Sequence, residues 1–137
     1  MSLTNLTDYP NGIKTAATLI DGATFTIGTE TDDSINVGIQ LTAGGADIEE
    51  SAVVLAYLSD DSGGDGVCAT APDGDIAVGA DGNILGEIVT DKLFVLQSEA
   101  DGDIDLDIGE AAGGTWYLVV VLPGGSIAVS GAITFAA

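Results

Sequence analysis

Ile35-Asn36-Val37-Gly38-Ile39-Gln40-Leu41 (residues 35–41) alternates apolar and polar side chains without a break. Because successive side chains of a β-strand point to opposite faces, this period of two predicts a strand with one buried face. Residues 103–108, Asp-Ile-Asp-Leu-Asp-Ile, repeat the pattern with a carboxylate at every second position. The two stretches therefore indicate antiparallel strands that pack on a core with one face and meet water with the other.

Other strands are predicted from apolar runs between turn signals. Residues 52–58 are apolar throughout and predict a central strand, whereas residues 83–88 and 92–97 predict two further strands. Residues 59–82 form an acidic loop with room for a short strand at 76–78, and residues 24–27 predict another short strand near the N-terminus. Glycine-rich turn signals at about eight- to twelve-residue spacing are typical of a sandwich or barrel.

The C-terminal hairpin is the clearest local prediction. Residues 116–122 and 127–135 flank Pro123-Gly124-Gly125-Ser126, which has proline and glycine at turn-competent positions. The first of these strands, Trp-Tyr-Leu-Val-Val-Val-Leu, is apolar on both faces. One face is expected to fill the core. The other is expected to be covered by the N-terminal arm, a neighbouring subunit, a larger assembly or the chain's own loops.

The sequence predicts two segments within an all-β protein: an extended N-terminal arm over residues 1–30 and an antiparallel β-sandwich domain over residues 31–137. The arm has isolated apolar residues and no strand or helix pattern before residue 24, so its order is expected to come from what it lies against. Eight residues are the candidate interface: Tyr9, Pro10, Ile13, Leu19 and Phe25 in the arm, and Trp116, Leu118 and Val120 in the two-sided strand.

The charge composition excludes several classes of function. The chain has 22 acidic residues, two lysines, no arginine and no histidine, for a formal net charge of −20. Without imidazole or guanidinium groups, the usual proton relays, zinc ligands and phosphate clamps are missing. The charge also repels nucleic acids and anionic membranes, so neither is an expected partner.

No catalytic template is present in the sequence. The nucleophile-elbow, Walker and dinucleotide-binding glycine motifs do not occur. Cys68 is the only cysteine, so it cannot form an internal disulfide, and without a basic neighbour it is expected to be a buried or idle thiol. We expect no enzymatic activity and no cofactor.

Two acidic stretches are candidates for a calcium site. An EF-hand loop starting at Asp101 would need glycine at its sixth position and glutamate at its twelfth, where this chain has Leu106 and Ala112. The alternating strand explains that stretch better. The loop at Asp60, Asp61 and Asp65 has hard oxygen donors but no defined ligand spacing. No metal site is therefore predicted.

From residue 35 onward the order of features resembles the immunoglobulin-like modules of bacterial and phage proteins of the invasin and intimin kind. Three segments carry the resemblance: INVGIQLTAGGADIEESAVVLAYLSDD, SEADGDIDLDI and GGTWYLVVVLPGGSIAVSGAITF. The chain departs from that pattern where Ser98 leads a turn usually led by threonine, and where Trp116 adds an aromatic residue. The resemblance implies an immunoglobulin-like sandwich, a fold that serves many functions.

The opening NLTDYPNGIK (residues 5–14) looks like the F-P-N-G openings of small tailed-phage virion proteins, and residues 117–135 also look phage-like. This resemblance implies a capsid decoration (cement) protein or a head fibre. The expected partners are the major capsid protein lattice and further copies of the chain. Since no signal peptide precedes the module, assembly into the virion is expected in the host cytoplasm. The alternative is a calcium-dependent adhesion or carbohydrate-binding module that uses Asp60, Asp61, Asp65 and the row from Asp103 to Asp107.

Overall fold

The computed structural model of the protein describes residues 19–137, which form eleven β-strands and no helix. The strands are β1 (Gly22–Ile27), β2 (Ser34–Ala43), β3 (Ala46–Asp47), β4 (Val53–Ser59), β5 (Ile76–Val78), β6 (Asn83–Val89), β7 (Leu93–Gln97), β8 (Asp103–Gly109), β9 (Gly114–Val121), β10 (Ile127–Val129) and β11 (Ile133–Phe135). Within this part of the chain, no helix is long and apolar enough to cross a membrane.

The strands form two antiparallel sheets. The first sheet has the order β1-β2-β8-β5, with β3 paired to β2. The second has the order β10-β9-β4-β7-β6, with β11 also paired to β9. The two alternating stretches that the sequence singles out are neighbours in the first sheet, where Val37 pairs with Leu106 and Ile39 with Ile104. The prediction of an all-β antiparallel sandwich is confirmed.

The two sheets differ in width. The first sheet has four strands on its main path, β1-β2-β8-β5, whereas the β6–β7 pair, which lies between β5 and β8 along the chain, extends the second sheet beyond β4. The second sheet is thereby five strands wide, not counting β11.

The core lies between the two sheets and is built by the period-two pattern. The fully buried side chains from β2 and β8 include Val37, Ile39, Leu41, Ile104, Leu106 and Ile108, and those from the second sheet include Leu58, Phe94, Leu96, Leu118 and Ile133. Trp116 and Phe135 meet edge to face, with ring centroids 6.1 Å apart, an orientation that aromatic pairs favour.

Most predicted strands are confirmed, including the short β5 and the β1 strand near the N-terminus. The run at residues 52–58 forms β4, which is central in its sheet as predicted. The boundary drawn at residue 30 lies between β1 and β2, and both strands belong to the same sheet. Residues 1–18 of the predicted arm lie outside the described residues.

The returning strand of the C-terminal hairpin is not continuous. Val129 pairs with Val119 and Ile133 pairs with Trp116, so four steps along the return span three steps along β9. This one-residue insertion is the geometry of a β-bulge, and it reverses which side chains face inward. Ile127 and Val129 consequently point outward, whereas Ile133 and Phe135 fill the core.

Ser130 bridges the interruption. Its backbone N–H donates to the Leu118 carbonyl oxygen at 2.8 Å, and its Oγ accepts from the Leu118 N–H at 2.8 Å. The same hydroxyl donates to the Gly131 carbonyl oxygen at 2.7 Å. A buried serine thus satisfies the β9 backbone group that the broken ladder would leave without a partner.

The acidic loop after β4 is fixed at several points despite its glycine content. The Trp116 Nε1 donates to the Thr70 carbonyl oxygen at 2.9 Å, and the Lys92 Nζ donates to the Ala69 carbonyl oxygen at 2.6 Å. The buried Glu110 carboxylate accepts from the Asp73 and Ala112 backbone N–H groups at 2.8 and 2.7 Å. The loop is therefore tied to both β9 and the end of β8.

We expect Ser130→Ala to lower the free energy of unfolding by about 1–3 kcal/mol, because it leaves the buried Leu118 N–H without an acceptor. Urea unfolding at neutral pH measures the change. Ser126→Ala is the matched control: its side chain is exposed in the hairpin turn, so a change within about 0.5 kcal/mol is expected. Equal stability of the two variants would contradict the bridging role.

Candidate interaction surfaces

The outer face of the second sheet has apolar side chains on all five strands of its main path. We call this surface the apolar face. Its members are Val53 and Leu55 on β4, Leu93 and Val95 on β7, Val121 on β9, Ile127 on β10, and Leu85, Ile88 and Val89 on the edge strand β6. Three of them are more than half exposed: Val53 at 52%, Leu85 at 54% and Ile88 at 61%.

Strand register makes these residues neighbours. Leu55 on β4 pairs with Val95 on one side and with Val121 on the other, and Val121 pairs with Ile127 on β10. Leu85 and Ile88 lie at the two register irregularities between β6 and β7. A monomer that exposes contiguous apolar side chains of this extent typically uses them as an interaction site.

Part of the same sheet face is covered by the chain itself. The Tyr57 hydroxyl donates to the Gly64 carbonyl oxygen at 2.6 Å, which holds the acidic loop over β9 and β10. Gly64 has a positive φ of 75° and lies so close that an added Cβ would stand 3.0 Å from methyl groups of Val119 and Val129. Val119 is fully buried for this reason. The loop thus covers one end of the face and reaches Ile127 at the border of the apolar face, since the same added Cβ would stand 3.1 Å from the Ile127 Cδ1.

An apolar groove lies at one end of the sandwich, where the segments before β1 and β4 meet the end of β9. Leu19, Ile20, Ile48, Ala52 and Pro123 line it, with Glu50 and Ser51 at its rim. Pro123 follows the end of β9 and lies beside the start of β4, given the pairing of Leu55 with Val121. The described chain therefore begins, at Leu19, next to the apolar face.

The eight predicted interface residues fall into three groups. Tyr9, Pro10 and Ile13 lie outside the described residues. Leu19 is 54% exposed, whereas Phe25 is half-buried and packs against the core. Trp116, Leu118 and Val120 are buried between the sheets, so β9 presents Tyr117, Val119 and Val121 outward instead. The interface assignment of these eight residues stays a prediction.

The members on β4 and β7, of which Val53 is exposed and Leu55, Leu93 and Val95 are half-buried, were not among the predicted interface residues. A signal for them existed in the sequence, because residues 52–58 are apolar at every position. A central antiparallel strand of that kind needs a cover on both faces. Residues 116–122 have the same two-sided apolar pattern, and there the chain's own loop supplies much of the cover.

The outer face of the first sheet has the opposite character. Asp103, Asp105 and Asp107 of β8 pair with Gln40, Gly38 and Asn36 of β2, so the predicted carboxylate row lies beside amides and a glycine. The Asn36 Nδ2 donates to Asp107 Oδ1 at 2.8 Å. A shallow groove of about 270 Å³ runs between the row and β1, lined also by Thr24, Thr26 and Asp81. We call this surface the acidic face.

Crowding of carboxylates perturbs two members of the row. Partial desolvation and then the neighbouring Asp81 raise the pKa of Asp105 above its ordinary value. Partial desolvation and then Asp101 raise the pKa of Asp103 in the same direction. Both shifts mean that the charged form is less favourable here than in the unfolded chain.

The aspartates of the acidic loop are engaged with the backbone. The Asp61 carboxylate accepts from the Gly63 and Asp65 N–H groups at 3.0 and 3.2 Å, and Asp60 accepts from the Ala69 N–H at 2.7 Å. Among residues 19–137, no three acidic or cysteine side chains are grouped so that they could hold a metal ion.

Cys68 is buried, and its backbone N–H donates to the Leu58 carbonyl oxygen at 2.7 Å. Burial and then the nearby Asp60 raise the pKa of its thiol. A thiol that stays protonated at neutral pH is a poor nucleophile, which agrees with the predicted buried thiol.

We expect Asp105→Asn to stabilise the protein at pH 7 by a few tenths of a kcal/mol, up to about 1 kcal/mol, because it removes a like-charge neighbour from the row. A carboxyl group whose folded-state pKa is raised destabilises the fold while ionised. The gain should therefore shrink as the pH falls through that raised pKa toward the ordinary value of 3.8.

Thermal unfolding between pH 7 and pH 3.5 measures this dependence. Glu49→Gln is the matched control, since it removes one charge from an exposed residue outside the row. If both variants gain stability equally, the effect comes from net charge alone, and the local explanation is wrong.

Comparison with known proteins gives no assignment. No protein-family model matches the chain, and no curated protein matches it. A functional proposal for this chain therefore depends on its sequence and its fold.

Proposed function

We propose that this chain is a non-enzymatic structural protein of a tailed-phage virion, which decorates and stabilises the capsid surface as an oligomer. The observation that carries the proposal is the segregation of the two outer faces. The apolar face of the second sheet is suited to protein contact, and the acidic face of the first sheet is suited to solvent.

This segregation fits a protein displayed in many copies. A shell covered by like-charged, strongly hydrated surfaces resists aggregation with other particles. The fold supports the same role because loops and the C-terminal segment are held by hydrogen bonds from backbone N–H groups, such as that from the Ala136 N–H to the Glu30 carboxylate at 2.9 Å. The virion assignment itself comes from the resemblance of residues 5–14 and 117–135 to small tailed-phage proteins.

The predicted arm is assigned the attachment role in this proposal. The described chain starts at Leu19, beside the groove at one end of the apolar face. The preceding residues include the apolar Leu3, Leu6 and Ile13. An anchor of this kind would attach the sandwich to the lattice and leave the acidic face exposed to solvent.

We expect the full-length protein to co-sediment with shells assembled from the major capsid protein of the same phage, and to saturate at a fixed ratio. Removal of residues 1–18 should weaken binding at least about tenfold, because the anchor is lost while all the strands described in residues 19–137 remain. Thr26→Ala on the acidic face is the control and should bind like the natural sequence. No binding of the full-length protein, or unchanged binding without residues 1–18, would contradict the proposal.

The calcium-dependent adhesion module makes a different prediction. A ligand that binds the folded state raises the melting temperature by mass action. We expect no shift when millimolar calcium replaces a chelator at fixed ionic strength, because Asp60 and Asp61 already accept backbone hydrogen bonds. A rise in melting temperature that Asp61→Asn abolishes would favour the adhesion module over capsid decoration.

A further inference from the structure

We infer that the apolar face is the contact between two copies of this chain, which pair through it about a two-fold axis. The inference rests on the proposed function and deepens it by naming the partner of the apolar face. The charge of the two outer faces, the area of the apolar face and its shape support this pairing.

Charge is distributed unevenly between the two outer faces of the sandwich. Every member of the apolar face is uncharged, whereas Asp103, Asp105 and Asp107 lie on the outer face of the other sheet. If two copies stack through their apolar faces, the four sheets are spaced about 10 Å apart and the two acidic faces are separated by about 30 Å. That distance exceeds three Debye lengths of about 8 Å at physiological salt.

For a chain with a net charge of −20, few ways of self-association avoid strong repulsion. A contact through the acidic face would place two carboxylate rows against each other. Contact through the apolar face places the rows as far apart as two sandwiches allow. The charge distribution therefore favours this face for pairing of like copies.

The area of the apolar face follows from the geometry of its strands. Five strands at about 4.8 Å spacing give a width of about 24 Å, and about five residues at 3.3 Å give a length of about 17 Å. The resulting area, taken as flat, is about 400 Å² per copy, or about 800 Å² for two copies. This area is at the low end for specific interfaces, where contacts are weak and transient, so we expect a dimer that dissociates readily on dilution.

The arrangement of strands on the apolar face suits a two-fold axis. Its centre is the Leu55–Val95 pair on adjacent strands, with Val53 and Leu85 toward its borders. A two-fold axis at this centre would bring each apolar strand against its equivalent, as in sheet-on-sheet packing within a sandwich. Branched aliphatic side chains on both sides would interdigitate as they do in the core.

Sedimentation equilibrium of the full-length protein tests the inference. We expect concentration-dependent dimers at 0.15 M NaCl, with somewhat stronger association at 0.5 M NaCl because residual repulsion is screened. Val53→Glu and Leu85→Glu should each weaken dimerisation at least about tenfold, since each would bury a charge in the contact. Both residues are more than half exposed in the single copy, so folding should be retained, and circular dichroism would verify it.

Val67→Glu is the matched control. Val67 is a similarly exposed valine, at 43%, but it belongs to the acidic loop and not to the apolar face. It introduces the same charge, so its dimerisation should equal that of the natural sequence. Loss of dimers in all three variants would attribute the effect to net charge and overturn the inference.

A full-length protein that stays monomeric at high concentration in 0.5 M NaCl also overturns the inference. If that monomer binds shells and Val53→Glu abolishes binding, the apolar face contacts the lattice protein, and the capsid-binding part of the proposed function stands without the oligomer. Dimers that Val53→Glu disrupts, in a protein that binds no shell, support the inference and contradict the proposed function.

Discussion

Hydrogen bonds from backbone N–H groups to carboxylates are the interaction on which the ordered loops depend. The chain has 22 acidic residues and only two lysines, so ion pairs cannot neutralise its surface. Glu110 accepts from the Asp73 N–H while Asp73 accepts from the Ala111 N–H, and this reciprocal pair closes the acidic loop onto the end of β8. Charge-assisted hydrogen bonds of this type are about twice as strong as neutral ones.

The same excess of negative charge shapes the sandwich as a whole. Carboxylates that have no cation to pair with must stay solvated, so the acidic face occupies one outer surface. The core takes the inward residues of both sheets, and the remaining apolar residues gather on the outer surface of the second sheet. Extension of that sheet by β6 and β7 widens this apolar surface. The sandwich therefore has one acidic outer surface and one broad apolar outer surface.

The period of two was sufficient to predict most of the fold. Strict alternation located β2 and β8, and glycine-proline turn signals located the C-terminal hairpin. The interruption at Ser130 was not predictable, because residues 127, 129, 133 and 135 are all apolar and a change of face leaves no trace in such a pattern. The pairing of distant strands and the cover supplied by Gly64 also depend on tertiary contacts. For the same reason, the sequence pointed to an apolar surface but placed it on the strand that the loop covers.

The reliance of the loops on backbone donors has a consequence for how this sequence can change over time. Every residue except proline supplies an N–H group, so the partner of a capping carboxylate can be replaced freely while the carboxylate itself cannot. Asp60, Asp61, Asp73 and Glu110 should therefore persist among descendants of this chain, while the residues that donate to them drift. Selection would act on the position of each acid within its turn, and the loops could diverge beyond recognition around a fixed set of acceptors.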